Sequence, residues 1–180
     1  MRTAPQISYE RRDSSPRLFP RVMADTGMLT AKGKYGLKAL VHLARLAPGE
    51  TTSAVDIADS NTIPKKFLDA ILRDLRNAGI VQSKKGPGGG YALAKPSREI
   101  RVGTIIRVLD GPLAPIPCAS RTAYQPCPDC DDVRTCAVRF TMTKVRDAMA
   151  EILDSLTLAD MLSRSLSLKK LTLPVRRGTP

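Results

Sequence analysis

Phe67-Leu-Asp-Ala-Ile-Leu-Arg-Asp-Leu-Arg-Asn-Ala-Gly79 is the stretch on which the fold turns. Phe67, Leu68, Ile71, Leu72 and Leu75 recur at i, i+1, i+4, i+5 and i+8, which places them on one side of a helix. Pro64 falls in the first turn of that helix and Gly79 provides its stop. The opposite side carries Lys65, Lys66, Asp69, Arg73 and Arg76. Taken alone, such a face is the solvated side of an amphipathic helix. Its neighbours decide whether it does more.

Upstream, Ser53 and Asp56 have the spacing of a capping box and open a short helix through Val55, Ile57 and Ala58, ending near Asn61. Before it, Thr30 is an N-cap for a first helix to Ala47, with Leu37, Leu40, Val41 and Ala44 on one face and Pro48-Gly49 as its stop. Downstream, Ile80-Val-Gln-Ser83 reads as a strand, Gly86-Pro-Gly-Gly-Gly90 as a break, and Tyr91-Ala-Leu93 as the returning strand of a hairpin. Helix, short helix, tight turn, helix and hairpin make a winged helix-turn-helix, so the chain is mostly α with a small β-hairpin wing.

In that fold the third helix faces the DNA major groove. Lys65 and Lys66 suit guanine edges or phosphates, Asp69 a cytosine amino group, and Arg73 the DNA backbone, with Lys66 and Asp69 ranked first as base readers. Lys84 and Lys85 stand at a Gly-rich tip that lets the backbone approach a minor groove closely. Lys32, Lys34 and Tyr35, at the dipole-positive start of the first helix, are candidate phosphate contacts. The glycines do not form a nucleotide-phosphate loop, because no Gly-Lys-Ser/Thr follows and no helix begins there.

Charge agrees with a polyanionic partner, double-stranded DNA. The 180 residues carry a net +12, and residues 28–100 hold 12 basic against 6 acidic side chains. No apolar run approaches the ~18 residues of a membrane span and no secretion-signal core is visible, so the expected compartment is the cytoplasm, with no membrane partner. The organisation expected is a disordered extension over 1–27, the winged helix over 28–97, and a linker helix with a Pro-rich segment over 98–117. A cysteine-rich loop over 118–136, a dimerisation helix over 137–163 and a flexible basic tail over 164–180 complete it. Met142, Val145, Met149, Ile152 and Leu156 alternate three and four apart, a narrow seam suited to the same helix of a second copy, hence a homodimer.

All four cysteines, Cys118, Cys127, Cys130 and Cys136, lie in that one loop. In a reducing compartment such crowding favours metal or redox chemistry over a structural disulfide. Thiolates this close can wrap a [2Fe–2S] or [4Fe–4S] cluster or a tetrahedral zinc, or exchange as dithiol and disulfide with no cofactor. Spacing leaves these open. Asp129, Asp131 and Asp132 are fallback ligands. An enzyme is disfavoured: there is no cofactor motif, and the only histidine, His42, lies inside the first helix.

Six ordered stretches resemble one family. They are Thr30-Ala-Lys-Gly-Lys-Tyr35, the helix at 67–79, Gly86-Pro-Gly-Gly-Gly-Tyr91, Leu109-Asp-Gly-Pro112, Cys136-Ala-Val-Arg139 and Leu156-Thr-Leu-Ala-Asp160. Together, over residues 28–162, they are similar to the Rrf-two family of bacterial winged-helix regulators. The resemblance implies a homodimeric repressor, crossed through its long helix, on a pseudo-palindromic operator. It also implies, for cluster-binding members, three cysteine ligands matching Cys118, Cys130 and Cys136, plus a fourth ligand that is not cysteine. This chain departs there: Arg139 stands where one member uses histidine and Lys34 where another uses aspartate. Neither ligates well, which leaves Cys127 as a candidate fourth thiolate.

Overall fold

The computed structural model describes residues 29–170 apart from Pro87 and Asp131, with backbone alone for residues 165–170. The extension over 1–27 and the end of the tail lie outside the described residues. In chain order come α1 (Ala31–Leu43), α2 (Ala54–Asn61), α3 (Lys65–Asn77), β1 (Val81–Lys84), β2 (Gly90–Leu93), α4 (Val102–Leu109), α5 (Ala137–Ser155) and α6 (Leu158–Lys170).

The starts of α1 and α2 are made by the capping side chains that the sequence offers, whereas α3 and α4 start without a side-chain cap. Thr30 accepts the Gly33 N–H at 3.2 Å. Ser53 accepts the Asp56 N–H at 3.1 Å and donates its hydroxyl to the Asp56 carboxylate at 2.7 Å, a reciprocal cap. Between α2 and α3, Thr62 takes a left-handed φ of 53°, which produces the tight turn of the helix-turn-helix. α1 ends at Leu43 rather than at Ala47. There the Arg45 and Leu46 amides bond three residues back, to His42 and Leu43, and tighten the last turn before Pro48-Gly49.

The wing is an antiparallel pair in the register Val81↔Leu93 to Lys84↔Gly90. Thr52 and Tyr91 exchange backbone hydrogen bonds at 3.1 and 2.8 Å and fasten the wing to the loop before α2. Gly90 is required at that junction, since a Cβ there would lie 2.4 Å from the Thr52 carbonyl oxygen.

One core serves the whole arrangement. Leu40 of α1, Ile57 of α2, Leu68, Ile71, Leu72 and Leu75 of α3, Ile105 of α4 and Leu158 of α6 are fully buried. Each such side chain contributes about 1.5–3 kcal/mol by leaving water.

Within the segment 137–163 expected for dimerisation, the chain turns at Leu156-Thr157 and a second helix starts at the cap spacing of Thr157 and Asp160, as the sequence suggests. Thr157 and Asp160 cap each other, and Val102 N–H and Leu158 N–H bond to Leu156 and Ile100, so the turn is clamped onto the start of α4. α6 then runs to Lys170, into the segment expected to be a flexible tail from 164. No glycine or proline interrupts residues 158–170.

The expected apolar seam of α5 is also divided. Met149 and Leu156, with Leu153, turn inward towards α1 and α4. Val145 and Ile152, with Val138, face solvent, Val138 and Ile152 being 64% and 60% exposed.

Candidate nucleic-acid interface and cysteine centre

The start of α1 and the start of α3 meet through an edge-to-face contact of Tyr35 and Phe67, ring centroids 5.8 Å apart. Around these rings gather cations. The Lys34 ammonium lies 5.1 Å and the Lys38 ammonium 5.9 Å from the centre of the Tyr35 ring, and Lys65 and Lys66 open α3 beside Phe67. Lys38 also donates to the Asn61 carbonyl, so it ties α1 to the end of α2.

The candidate DNA-contacting side chains are not equally available. Lys66 is exposed and has no ion-pair partner among the described residues. Lys65 pairs with Asp69 at 2.8 Å, one helical turn on, so these two candidate base readers hold each other in place. Lys32 pairs with Asp74 of α3 at 2.8 Å and therefore cross-links the two helices. Arg73 is exposed, 3.9 Å from Asp74. Lys84 closes β1 opposite Gly90, and Lys85 begins the turn at the wing's tip. His42 faces Asn61 at 3.2 Å inside the fold, and burial lowers its pKa.

The cysteine segment is held by arginines. Cys118 is buried in a single turn of tight helix, Pro117–Ala119, packed on α5. Arg139 donates its Nε–H to the Cys118 carbonyl at 2.9 Å, and Arg146 donates to the Ala119 carbonyl at 2.9 Å. Arg146 is only 8% exposed and also pairs with Asp147 at 2.6 Å, a carboxylate shared with Arg121 at 3.0 Å. Sequence reading passed over Arg146; its one signal is a charged residue on the same side of α5 as Met142 and Met149.

The thiols influence one another's protonation, most strongly Cys118 with Cys127 and Cys136 with Cys130. Cys136 is the N-cap of α5, and its sulfur accepts the Arg139 N–H at 3.4 Å. That bond, the neighbouring Cys130 thiol, the Val138 N–H and the Arg139 charge lower the Cys136 pKa. Cys130 is pushed up by the same pairing with Cys136. Cys127 shares a hydrogen bond with Cys118, and its pKa is pushed up to about 11. A cluster or a zinc ion needs three or four thiolates converging on one point. Among the described residues no three Cys, His, Asp or Glu side chains form a group able to hold a metal. The described residues as arranged therefore do not fit a preformed metal centre, and Arg139 ties the Cys118 carbonyl to the Cys136 end of α5.

Comparison with known proteins places this geometry. The Rrf2 family profile, described as an iron-dependent transcriptional regulator, matches residues 29–164. The rrf2-like HTH-type transcriptional regulator of Rhodobacter capsulatus is 46% identical over 139 residues, covering 76% of this chain and 93% of that protein. The solved structure of CymR, the global cysteine regulator of Bacillus subtilis, superposes with a TM-score of 0.62 at 36% identity, over 76% of this chain and 96% of that one. That of T. potens IscR gives 0.61 at 30% identity, over 84% and 93%. These relatives are transcriptional regulators rather than enzymes, and no helix among the described residues is long and apolar enough to cross a membrane. Matched by the family model over three quarters of its length, and 46% identical to a relative of which it covers nearly the whole, the chain is a member of the Rrf2 family of transcriptional regulators.

Proposed function

We propose that the chain is a cytoplasmic repressor that binds a pseudo-palindromic duplex as a homodimer, with its cysteine segment as a thiol sensor that sets DNA affinity. The observation that carries the DNA reading is the cationic and aromatic cluster where α1 meets α3, at the end of the helix that a winged helix-turn-helix lays in the major groove. Lys66 is the base reader in this scheme and Asp69 the second, aimed by Lys65. Lys34, Arg73, Lys84 and Lys85 hold phosphates, Tyr35 seats α1 on α3, and Lys32 fixes the angle between them.

A second copy covers α5. Val138, Val145, Ala148 and Ile152 repeat at seven, three and four residues, the spacing of a two-helix seam, on a face that stays in solvent in one copy. Pairing there fixes the distance between two α3 helices, and operators read by such dimers place half-sites one helical turn apart.

The thiol chemistry follows from the pairs. A sulfur at a helix N-terminus with a lowered pKa holds more of its thiolate, the nucleophilic form, at any given pH than an ordinary thiol. Facing a peroxide, the Cys136 thiolate attacks one oxygen, the O–O bond breaks and hydroxide leaves, giving a sulfenic acid. Cys130 then loses its proton, attacks that sulfur and expels the oxygen as water, so a disulfide is formed at the cost of one peroxide. The new bond tethers the loop to the first turn of α5, next to the dimer seam.

An iron–sulfur cluster is the second reading. The family's description as iron-dependent and the mutual influence of Cys118, Cys127 and Cys130 favour it, and it requires the 127–130 stretch to move so that the thiols converge. Anaerobic purification with an absorption spectrum, iron, sulfide and zinc analysis, and DNA affinity before and after peroxide separates the two. A colourless, metal-free protein whose DNA affinity changes on forming the Cys130–Cys136 disulfide supports thiol sensing. A stoichiometric iron–sulfide chromophore lost in Cys127→Ser or Cys130→Ser overturns it in favour of the cluster.

A further inference from the structure

α4 ends on the beginning of α1. Thr30, the cap of α1, gives both of its donors to Asp110, the residue that follows α4: the N–H reaches Oδ2 at 3.1 Å and the hydroxyl reaches Oδ1 at 2.5 Å. The same hydroxyl oxygen still accepts the Gly33 N–H. One carboxylate thus extends the cap and lays negative charge at the positive end of the helix.

The seat has no spare room. A Cβ on Gly33 would lie 2.2 Å from Asp110 Oδ2, and one on Gly36 would lie 2.1 Å from Leu109 Cδ1. The two glycines, about one turn apart, let the Leu109 and Asp110 side chains lie against the α1 backbone, and a Cβ at either would force them to shift. Immediately afterwards Gly111, with φ of 91°, turns the chain into the Pro-rich stretch that leads to Cys118. An open cavity of about 490 Å³, lined among others by Leu29, Ile106, Leu113, Met149 and Leu153, flanks the clasp. Packing on that side therefore leaves the stretch room to shift. In the same turn of α1, Lys32 is pinned to Asp74 of α3, and Lys34 is the next residue after Gly33.

We propose that Asp110 is a positioning residue for DNA binding: it fixes the first turn of α1, and with it Lys34, to the segment that leads to the cysteine loop. The proposal rests on the DNA-binding reading above and adds the residue through which loop and DNA face communicate. Charge alone argues in the opposite direction, because removing a carboxylate from a DNA-facing surface strengthens attraction to phosphates. Weaker binding on losing Asp110 therefore isolates positioning from bulk electrostatics.

The test uses the full chain and the duplex it selects from a randomised pool. Asp110→Asn keeps the shape and removes the charge. The expected result is a loss of about tenfold in affinity, the scale of one charge-assisted hydrogen bond, for selected and unrelated duplexes alike. The salt dependence should flatten by about one phosphate contact, and the unfolding midpoint should stay within about 5 °C. Asp154→Asn, which breaks the Arg107 pair on a different face, is expected to leave affinity unchanged. Gly33→Ala should reproduce the loss in the natural background and add little to Asp110→Ala, because both act on one contact. If Asp110→Asn does not fold, Thr30→Val and Thr30→Ser give the same readout, loss and retention respectively. Unchanged or tighter binding by Asp110→Asn, or full additivity with Gly33→Ala, overturns the proposal and leaves the DNA reading standing. A natural chain that selects no duplex overturns that reading and the proposal with it.

Discussion

The winged helix and the cysteine segment are built by different forces. In the winged helix, α3 alone buries four aliphatic side chains completely against α1, α2 and α4, and non-directional packing fixes its helices. In the cysteine segment, residues 121–126 are exposed and the backbone of 118–119 is held by two guanidinium groups. A core of that kind resists displacement as a whole. A segment hung on a few directional bonds can be released by changing one of them. The contrast suits a regulator, whose reading head must be rigid and whose sensor must move at small cost.

The comparison breaks most visibly at the core. Leu72→Ala is expected to cost about 2–5 kcal/mol of global stability by denaturant unfolding, through lost burial and the cavity left behind. A loss below about 1 kcal/mol contradicts the rigid half of the account.

Arg146→Ala should cost less, about 1–3 kcal/mol, and locally. Amides of 118–121 should exchange faster and proteases should cut within 118–136, while protection of α3 is retained. Equal loss of protection in both regions erases the distinction.

Smaller still are the thiol effects, which are matters of pH. Cys136, with its lowered pKa, should react with iodoacetamide at a lower pH than Cys127, whose pKa is about 11. In stability terms the signs are opposite. The raised Cys127 contributes below the ordinary thiol pKa and loses that contribution as pH rises through about 11. The lowered Cys136 contributes above the ordinary value and loses it as pH falls through its own. Alkylation in the reverse order sinks the assigned roles.

Lys66→Ala should shift stability least, within about 0.5 kcal/mol, because the side chain is exposed. Its effect belongs to DNA.

How much of this was legible depended on whether the determinant was local. Thr30, Ser53-Asp56 and Thr157-Asp160 announce helix starts because a cap and its partner lie three residues apart, and the apolar spacing of 67–75 is complete within one helix. The division of the α5 seam was not legible, since a heptad-like pattern states that neighbours exist and not whether they belong to the same copy. Buried Arg146 finds its carbonyl partner, Ala119, 27 residues away. The spacing of the cysteines announces a centre, but not that Cys136 caps α5 or that Arg139, legible in the sequence only as a poor ligand, bonds both the Cys136 sulfur and the Cys118 carbonyl. Asp110 sat inside a stretch already quoted, Leu109-Asp-Gly-Pro112, without its partner Thr30, 80 residues away, being visible.

The central claim is that the rigid half reads DNA sequence through α3. Selection from a randomised duplex pool by the natural chain and by Lys66→Ala, each sequenced after the same rounds, tests it most directly. The account predicts that the natural chain enriches a pseudo-palindrome with half-sites about one helical turn apart, and that Lys66→Ala enriches a degenerate version of it, relaxed at the bases Lys66 reads. Enrichment of no sequence by the natural chain, or of an identical one by the variant, would contradict it.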